Sequence, residues 1–155
     1  MEKAYFPMFV DISEMKIVAV GGGKIASRRV AVLTQFAGNI TVIAPETTES
    51  LKELESAGKI HCVRRGYKEA DIREADMVLA ATNDKQLNRR ILTDCRGVEQ
   101  RSGRKILINV ADDRSLCDFY FPSVITRDEI VIGINSSGNN PGKVKQLREK
   151  LEEEF

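Results

Sequence analysis

Lys16-Ile17-Val18-Ala19-Val20-Gly21-Gly22-Gly23-Lys24-Ile25-Ala26 takes a short β-branched run straight into three consecutive glycines and then into a segment with helical spacing. Ala26, Val30, Leu33 and Phe36 recur near every third or fourth position, so Ala26 to Phe36 reads as a helix and the whole stretch as strand, tight turn, helix. Gly21-Gly22-Gly23-Lys24-Ile25-Ala26 also fits G-x-G-x-x-A in the place where that pattern has a mechanism. Gly21 suits the tight turn, Gly23 lets a pyrophosphate approach the backbone without a Cβ in the way, and Ala26 lets helix and strand pack closely. Free N–H groups at the helix start, with a macrodipole of roughly half a positive charge, would hold the phosphates. Gly21, Gly22, Gly23, Lys24 and Ile25 are therefore candidate cofactor contacts. The alternative is a glycine-rich turn that only reverses the chain, and the flanking βαβ pattern weighs against it.

Gly38-Asn39 stops the helix, and Ile40 to Ala44 reads as a second buried strand ended by Pro45. An acidic residue that bonds ribose hydroxyls belongs at the end of that strand, but it is not in its usual place. Ala44-Pro45-Glu46 occupies the region, making Pro45 and Glu46 candidate cofactor contacts through the Glu46 carboxylate or the backbone. An ordinary acidic residue beside the next helix is the other reading of Glu46. No arginine follows this strand end closely to receive a 2′-phosphate, so NAD is expected over NADP.

Thr48 to Ala57 reads as a short helix closed by Gly58, and Ile60 to Arg64 as a short, polar edge strand. Met77 to Ala81 is an uninterrupted apolar run, as a central parallel strand covered on both faces requires. Lys85 to Cys95 supplies the next helix, with Leu87, Ile91 and Leu92 inward; Arg96 to Lys105 reads as an exposed loop and Ile106 to Val110 as a fifth strand. After Asp113 the alternation of strands and helices stops. Phe119 to Ile125 and Ile130 to Asn135 read as strands of a hairpin joined by Thr126 to Glu129. Lys143 to Glu154, introduced by Pro141, reads as an amphipathic helix with Val144, Leu147 and Leu151 on one face. The expected fold is α/β, a doubly wound parallel sheet over residues 1–113, then a small strand-rich segment with a closing helix over 114–155.

Lys plus Arg (24) nearly cancel Asp plus Glu (23), leaving no global field to grip nucleic acid or an anionic membrane. Met1 to Val10 has no long apolar stretch or cleavage site of a secretory leader, and no later run approaches the roughly 20 apolar residues that cross a bilayer. Cys62, Cys95 and Cys117 are odd in number and far apart, without disulfide or metal-ligand spacing, so they read as reduced thiols in a cytoplasmic protein. No metal site is expected.

From Tyr5 to Glu152 the order of motifs resembles the NAD-dependent precorrin-2 dehydrogenase module of siroheme synthases. The landmarks are Phe6-Pro7-Met8-Phe9, Val20 to Gly23 with Ala26 and Arg28-Arg29, Ala80-Ala81-Thr82-Asn83-Asp84, Asn109-Val110-Ala111-Asp112-Asp113, Phe119 to Ser123, and Leu147 to Leu151. The resemblance implies a Rossmann-like domain followed by a dimerisation and substrate-cleft segment, a homodimer, NAD as cofactor and oxidation of precorrin-2 to sirohydrochlorin. It puts the family's key acidic residue at Asp112, Thr82 on the nicotinamide side of the cofactor, and Ser136 to Pro141 beside the substrate. The carboxyl ends of parallel strands border the crevice where cofactor and substrate meet, so a carboxylate at Asp112 can act as a base; a plain turn residue is the alternative. Asp84 reads more simply as a helix cap. A substrate rich in carboxylates calls for cationic partners, and Arg127 and Lys143, together with Ser136, are the substrate-binding candidates, with Arg28, Arg29 and Lys145 behind them. His61 reads as structural or exposed. A dehydrogenase that also inserts iron, and a nonenzymatic dinucleotide sensor, are the two other functions in view.

Overall fold

β1 (Ile17–Val20) lies at the centre of the sheet because all four of its residues are buried and both of its edges are paired. In a computed structural model that describes residues 4–155, β1 is flanked by β2 (Ile40–Ile43) and β4 (Met77–Ala80), with β3 (His61–Val63) beyond β2 and β5 (Leu107–Val110) beyond β4. Met1, Glu2 and Lys3, which open the stretch read above for a secretory leader, lie outside the described residues. Every pair is parallel and the order is β3-β2-β1-β4-β5, the doubly wound arrangement expected. Strands buried on both faces need apolar residues at every position, and Met77-Val78-Leu79-Ala80 supplies them.

Three helices connect these strands: α1 (Lys24–Leu33), α2 (Glu49–Ser56) and α3 (Lys85–Ser102), with short 3₁₀ turns at Glu69–Ile72 and Arg114–Leu116 that were not expected. α1 ends at Leu33, and Thr34 to Phe36 form turns instead of continuing the helix. The larger correction concerns Arg96 to Lys105, expected as a loop: α3 continues through Ser102 and ends at Gly103 in the left-handed conformation, φ +73°. Asn88, Ile91, Cys95 and Val98 form one buried stripe, which extends past the polar residues that suggested a loop. Arg96 pairs with Glu99 one turn on at 2.9 Å, and Glu99 accepts from the Ile106 amide at 2.9 Å, tying the helix end to the start of the next strand. These contacts outweigh the roughly 1 kcal/mol that Gly97 costs in a helix interior.

The chain forms two compact units, residues 11–119 and, among the described residues, 4–10 with 120–155. The larger unit runs through Phe119, and within it Asp118 is bound to β5 at both its backbone and its side chain. Its amide donates to the Ile108 carbonyl at 2.8 Å and its carboxylate accepts from the Ile108 amide at 2.9 Å. In the larger unit Val18, Val20, Val78, Ala80, Ile108 and Val110 pack with Ile72, Ile91, Cys95 and Ile106 in one core cluster.

In the smaller unit β6 (Ser123–Arg127) and β7 (Ile130–Ile134) form an antiparallel hairpin, and α4 (Pro141–Glu154) packs on β6. Phe119 to Pro122, expected within the first of these strands, lie outside it. Pro122 has no N–H to give a ladder, and pairing begins at Ser123 opposite Ile134. Arg127 pairs with Ile130, so the turn is only Asp128-Glu129, with Asp128 at φ +51°. Proline stands at the first position of α4 and the Asn140 side chain accepts from the Lys143 amide at 3.0 Å. Tyr5 and Tyr120 meet within this unit, ring centroids 4.4 Å apart and hydroxyls 2.8 Å apart.

Candidate functional site

The three glycines do three different things. Gly21, at φ +127°, turns the chain out of β1 so closely against β4 that a Cβ would stand 2.3 Å from the Ala81 carbonyl oxygen. On Gly22 a Cβ would stand 1.9 Å from the Glu46 carbonyl oxygen, so this glycine is required by the chain leaving β2. Nothing lies within 4 Å of a Cβ built on Gly23. That open space faces the start of α1, where no side chain caps the helix. The turn is anchored from behind: Ser27 Oγ donates to the Gly23 carbonyl at 2.6 Å and lies 2.7 Å from Thr48 Oγ1, and the Thr48 amide donates to the Gly22 carbonyl at 3.2 Å.

Gly23, Lys24 and Ile25 are exposed, Ala26 is fully buried, and Pro45 and Glu46 are exposed beside Gly22. The Thr82 amide stands at the Gly21 turn, 3.2 Å from the same Cβ position, because β1 and β4 are neighbours. The fold thus gathers Gly21, Gly22, Gly23, Lys24, Ile25, Pro45, Glu46 and Thr82 at the carboxyl end of the sheet, at the point where strand order reverses between β1 and β4. An uncapped helix start, a cleared Cβ position and exposed backbone together suit a diphosphate.

Asp112 follows β5, the next strand over, and both of its carboxylate oxygens are engaged. Asn88 Nδ2 donates to Oδ1 at 3.0 Å, and Arg89 Nη1 donates to Oδ2 at 3.0 Å while its Nη2 reaches Asp113 at 3.1 Å. Burial pushes the Asp112 carboxyl up, but the Asn88 and Arg89 hydrogen bonds and the Arg89 charge outweigh it and hold the group below the usual carboxylate range. Asp112 is therefore a carboxylate at neutral pH. Asp113 turns away to cap the next 3₁₀ turn, accepting from the Ser115 amide at 3.0 Å. Asp84 is the N-cap of α3, accepting from the Gln86 and Leu87 amides at 2.9 and 3.2 Å.

Sequence reasoning missed Asn88 and Arg89. The readable signal was a polar residue in the buried stripe of α3, where an amide stays only if its hydrogen bonds are met. Arg28 is exposed, whereas Arg29 points inward and donates to Asn109 Oδ1. His61 is exposed on β3. In the smaller unit Ser136 and Lys143 share the start of α4: Ser136 Oγ accepts from the Asn140 amide at 3.1 Å, and Asn140 caps Lys143. Arg127 lies at the tip of the hairpin and donates to the Glu152 carbonyl at 3.1 Å, by the last turn of α4. The three substrate candidates are not brought together. Among the described residues no group of three or more His, Cys, Asp or Glu is placed to hold a metal ion, and no helix is long and apolar enough to cross a membrane.

A family model described as "Putative NAD(P)-binding" matches residues 8–123, most of the chain. The chain belongs to this NAD(P)-binding family. Among curated proteins, the siroheme synthase of Pseudoalteromonas atlantica is similar, 37% identical over 148 residues that make up 96% of this chain and 31% of that protein. Siroheme synthase 1 of Cronobacter sakazakii is 34% identical over 96% of this chain and 30% of its own length. The chain spans about a third of the length of these relatives. Among solved structures, SirC, a precorrin-2 dehydrogenase, is similar with a TM-score of 0.79 and 25% identity, over 97% of this chain and 71% of that one.

Proposed function

We propose that this chain is an NAD-dependent precorrin-2 dehydrogenase that forms sirohydrochlorin for siroheme. The observation that carries the reading is a carboxylate, Asp112, at the end of the strand next to β4, joined through one buried amide to Thr82 beside the glycine turn. The likeness to SirC over nearly the whole chain supports the same reading.

NAD⁺ bound at the turn supplies the acceptor for one hydride from the macrocycle. Gly23 and the amides opening α1 would hold its diphosphate, Gly21 and Gly22 fix the turn they depend on, and Lys24 and Ile25 would flank it. Pro45 and Glu46 border the adenosine side; Arg64 and Arg65, which follow the neighbouring strand β3, are held by Glu55 at 2.8 Å and Asp71 at 2.6 Å, so NAD is favoured over NADP. Thr82 borders the nicotinamide side. Losing a hydride leaves the macrocycle with one proton to give up, and Asp112, ionised at neutral pH, takes it. Ser136, Lys143 and Arg127, all in the smaller unit, are the polar and cationic groups assigned to the substrate's carboxylates, and Arg127 also donates to the Glu152 carbonyl.

The functional unit is a homodimer. Phe6, Met8 and Phe9 are 84, 72 and 81% exposed, and no residue of α4 is buried although Val144, Leu147 and Leu151 form an apolar face. Light scattering on the purified chain is expected to give twice the monomer mass; a monomer at micromolar concentration overturns this part. Three free cysteines, two of them buried, fit a reducing cytoplasm.

Purified protein mixed with precorrin-2 and NAD⁺ is expected to produce sirohydrochlorin and NADH in equal amounts, followed by absorbance. Asp112→Ala is expected to slow the reaction about 100-fold or more with saturating NAD⁺. No NADH from the wild type would refute the dehydrogenase, and an unchanged rate in the variant would remove Asp112 from the proton step.

A further inference from the structure

The side chain of Asn88 is fully buried, yet it is an amide at the head of a stripe otherwise formed by Ile91, Cys95 and Val98. All of its hydrogen-bonding capacity goes to two chain segments at the rim of the sheet. Its Oδ1 accepts from the Thr82 amide at 3.1 Å and the Thr82 hydroxyl at 2.7 Å; its Nδ2 donates to the Thr82 carbonyl at 3.1 Å and to Asp112 Oδ1 at 3.0 Å. The orientation of the amide is unambiguous. A backbone N–H must face oxygen, while a carbonyl and a carboxylate must face N–H.

We infer that Asn88 is a positioning residue, which sets the direction of the Asp112 carboxylate relative to Thr82 and so aligns the proton acceptor with the cofactor end of the crevice. The inference deepens the dehydrogenase reading and rests on Asp112 being the base. Its physical content is that one rigid amide, held on α3, fixes the ends of β4 and β5 to each other, so that neither moves without breaking a buried hydrogen bond. Arg89 cannot do this. It is 40% exposed at the side chain and divides its guanidinium between Asp112 and Asp113. The charged groups in contact with Asp112 are thus Arg89 from α3 and, through Arg89, Asp113 from the chain after β5.

Asn88→Asp separates the two halves of the amide. It keeps the oxygen that receives the Thr82 amide and replaces the nitrogen facing Asp112 by a second oxygen. Carbon-13 NMR of the carboxylates in the full chain is expected to show the Asp112 midpoint raised by about one pH unit or more, since two carboxylates then share one site. With precorrin-2, kcat is expected to fall at least about tenfold and its acid limb to move to higher pH, while NAD⁺ affinity changes less than about threefold. Asn88→Ala removes the donor without adding charge and is expected to move the midpoint the same way; it replaces the first variant if that one does not fold. An unchanged Asp112 midpoint in a folded variant overturns the inference, as does a loss of NAD⁺ affinity as large as the loss of kcat. If the wild type itself fails to oxidise precorrin-2, the dehydrogenase reading falls, and the NMR midpoint alone decides whether Asn88 governs Asp112.

Discussion

The Ala81 carbonyl oxygen and Gly21 stand so close that a methyl group on Gly21 would overlap it, while nothing approaches the same position two residues later on Gly23. Stability and cofactor binding should therefore separate within one glycine run. Gly21→Ala combines a positive φ with a backbone overlap and is expected to cost about 2 kcal/mol or more. Gly23 has φ −91°, which alanine accepts, so Gly23→Ala is expected to keep its stability within about 0.5 kcal/mol. Its new Cβ would, however, occupy the open space proposed for the diphosphate, and NADH affinity is expected to drop about tenfold or more. Urea unfolding and fluorescence titration check the pair; equal effects on both readouts would refute the assignment of separate roles.

Asp84 is a helix cap, and its removal should read as one. Asp84→Ala leaves the Gln86 and Leu87 amides without their acceptor and is expected to lower stability by about 1 kcal/mol. Turnover per folded molecule is expected to stay within about threefold of the wild type, which a rate normalised by active-site titration measures. A collapse of turnover in the stable variant would assign Asp84 to the chemistry.

Asp118 holds the segment after β5 by accepting from the buried Ile108 amide at 2.9 Å and from Arg96 at 2.7 Å. Asp118→Ala strands the Ile108 amide and leaves Arg96 with Glu99 as its remaining partner, and is expected to cost about 2 kcal/mol in chemical unfolding. Burial pushes the Asp118 carboxyl up, but Arg96 and the Ile108 amide pull it further down, and Asp112 and Asp71 are likewise held low. A carboxyl whose folded value is depressed contributes stability above its unfolded value, near 4, and loses it as pH falls through the folded value. Unfolding midpoints are thus expected to be flat above about pH 5 and to fall steadily below it, less steeply in Asp118→Asn. A midpoint that rises on acidification would contradict the ion pairs.

None of the three thiols should react in the folded protein. Burial pushes Cys95 up to about 12, and it raises Cys62 and Cys117 as well. Iodoacetamide at about pH 8 is expected to leave all three unmodified until denaturant is added, read by mass spectrometry. Rapid alkylation of one of them in the native state would reveal an activated cysteine.

The parallel sheet and the glycine turn that opens α1 were legible in the sequence because they depend on local rules. A β-branched run, a glycine turn and an apolar helix face are written within one short stretch, and β1, α1, β2 and β4 follow from it. α3 was legible only as far as Cys95, since the stripe beyond it is formed by burial against the core and not by local composition. The separate duties of Gly21, Gly22 and Gly23 were equally hidden, being set by Ala81, Glu46 and open space, none of them a chain neighbour. The bond from Asn88 to Asp112 joins residues on α3 and after β5. Such a contact exists only once the strands are paired, because a buried amide finds its acceptor through the packing of elements that the chain order keeps apart.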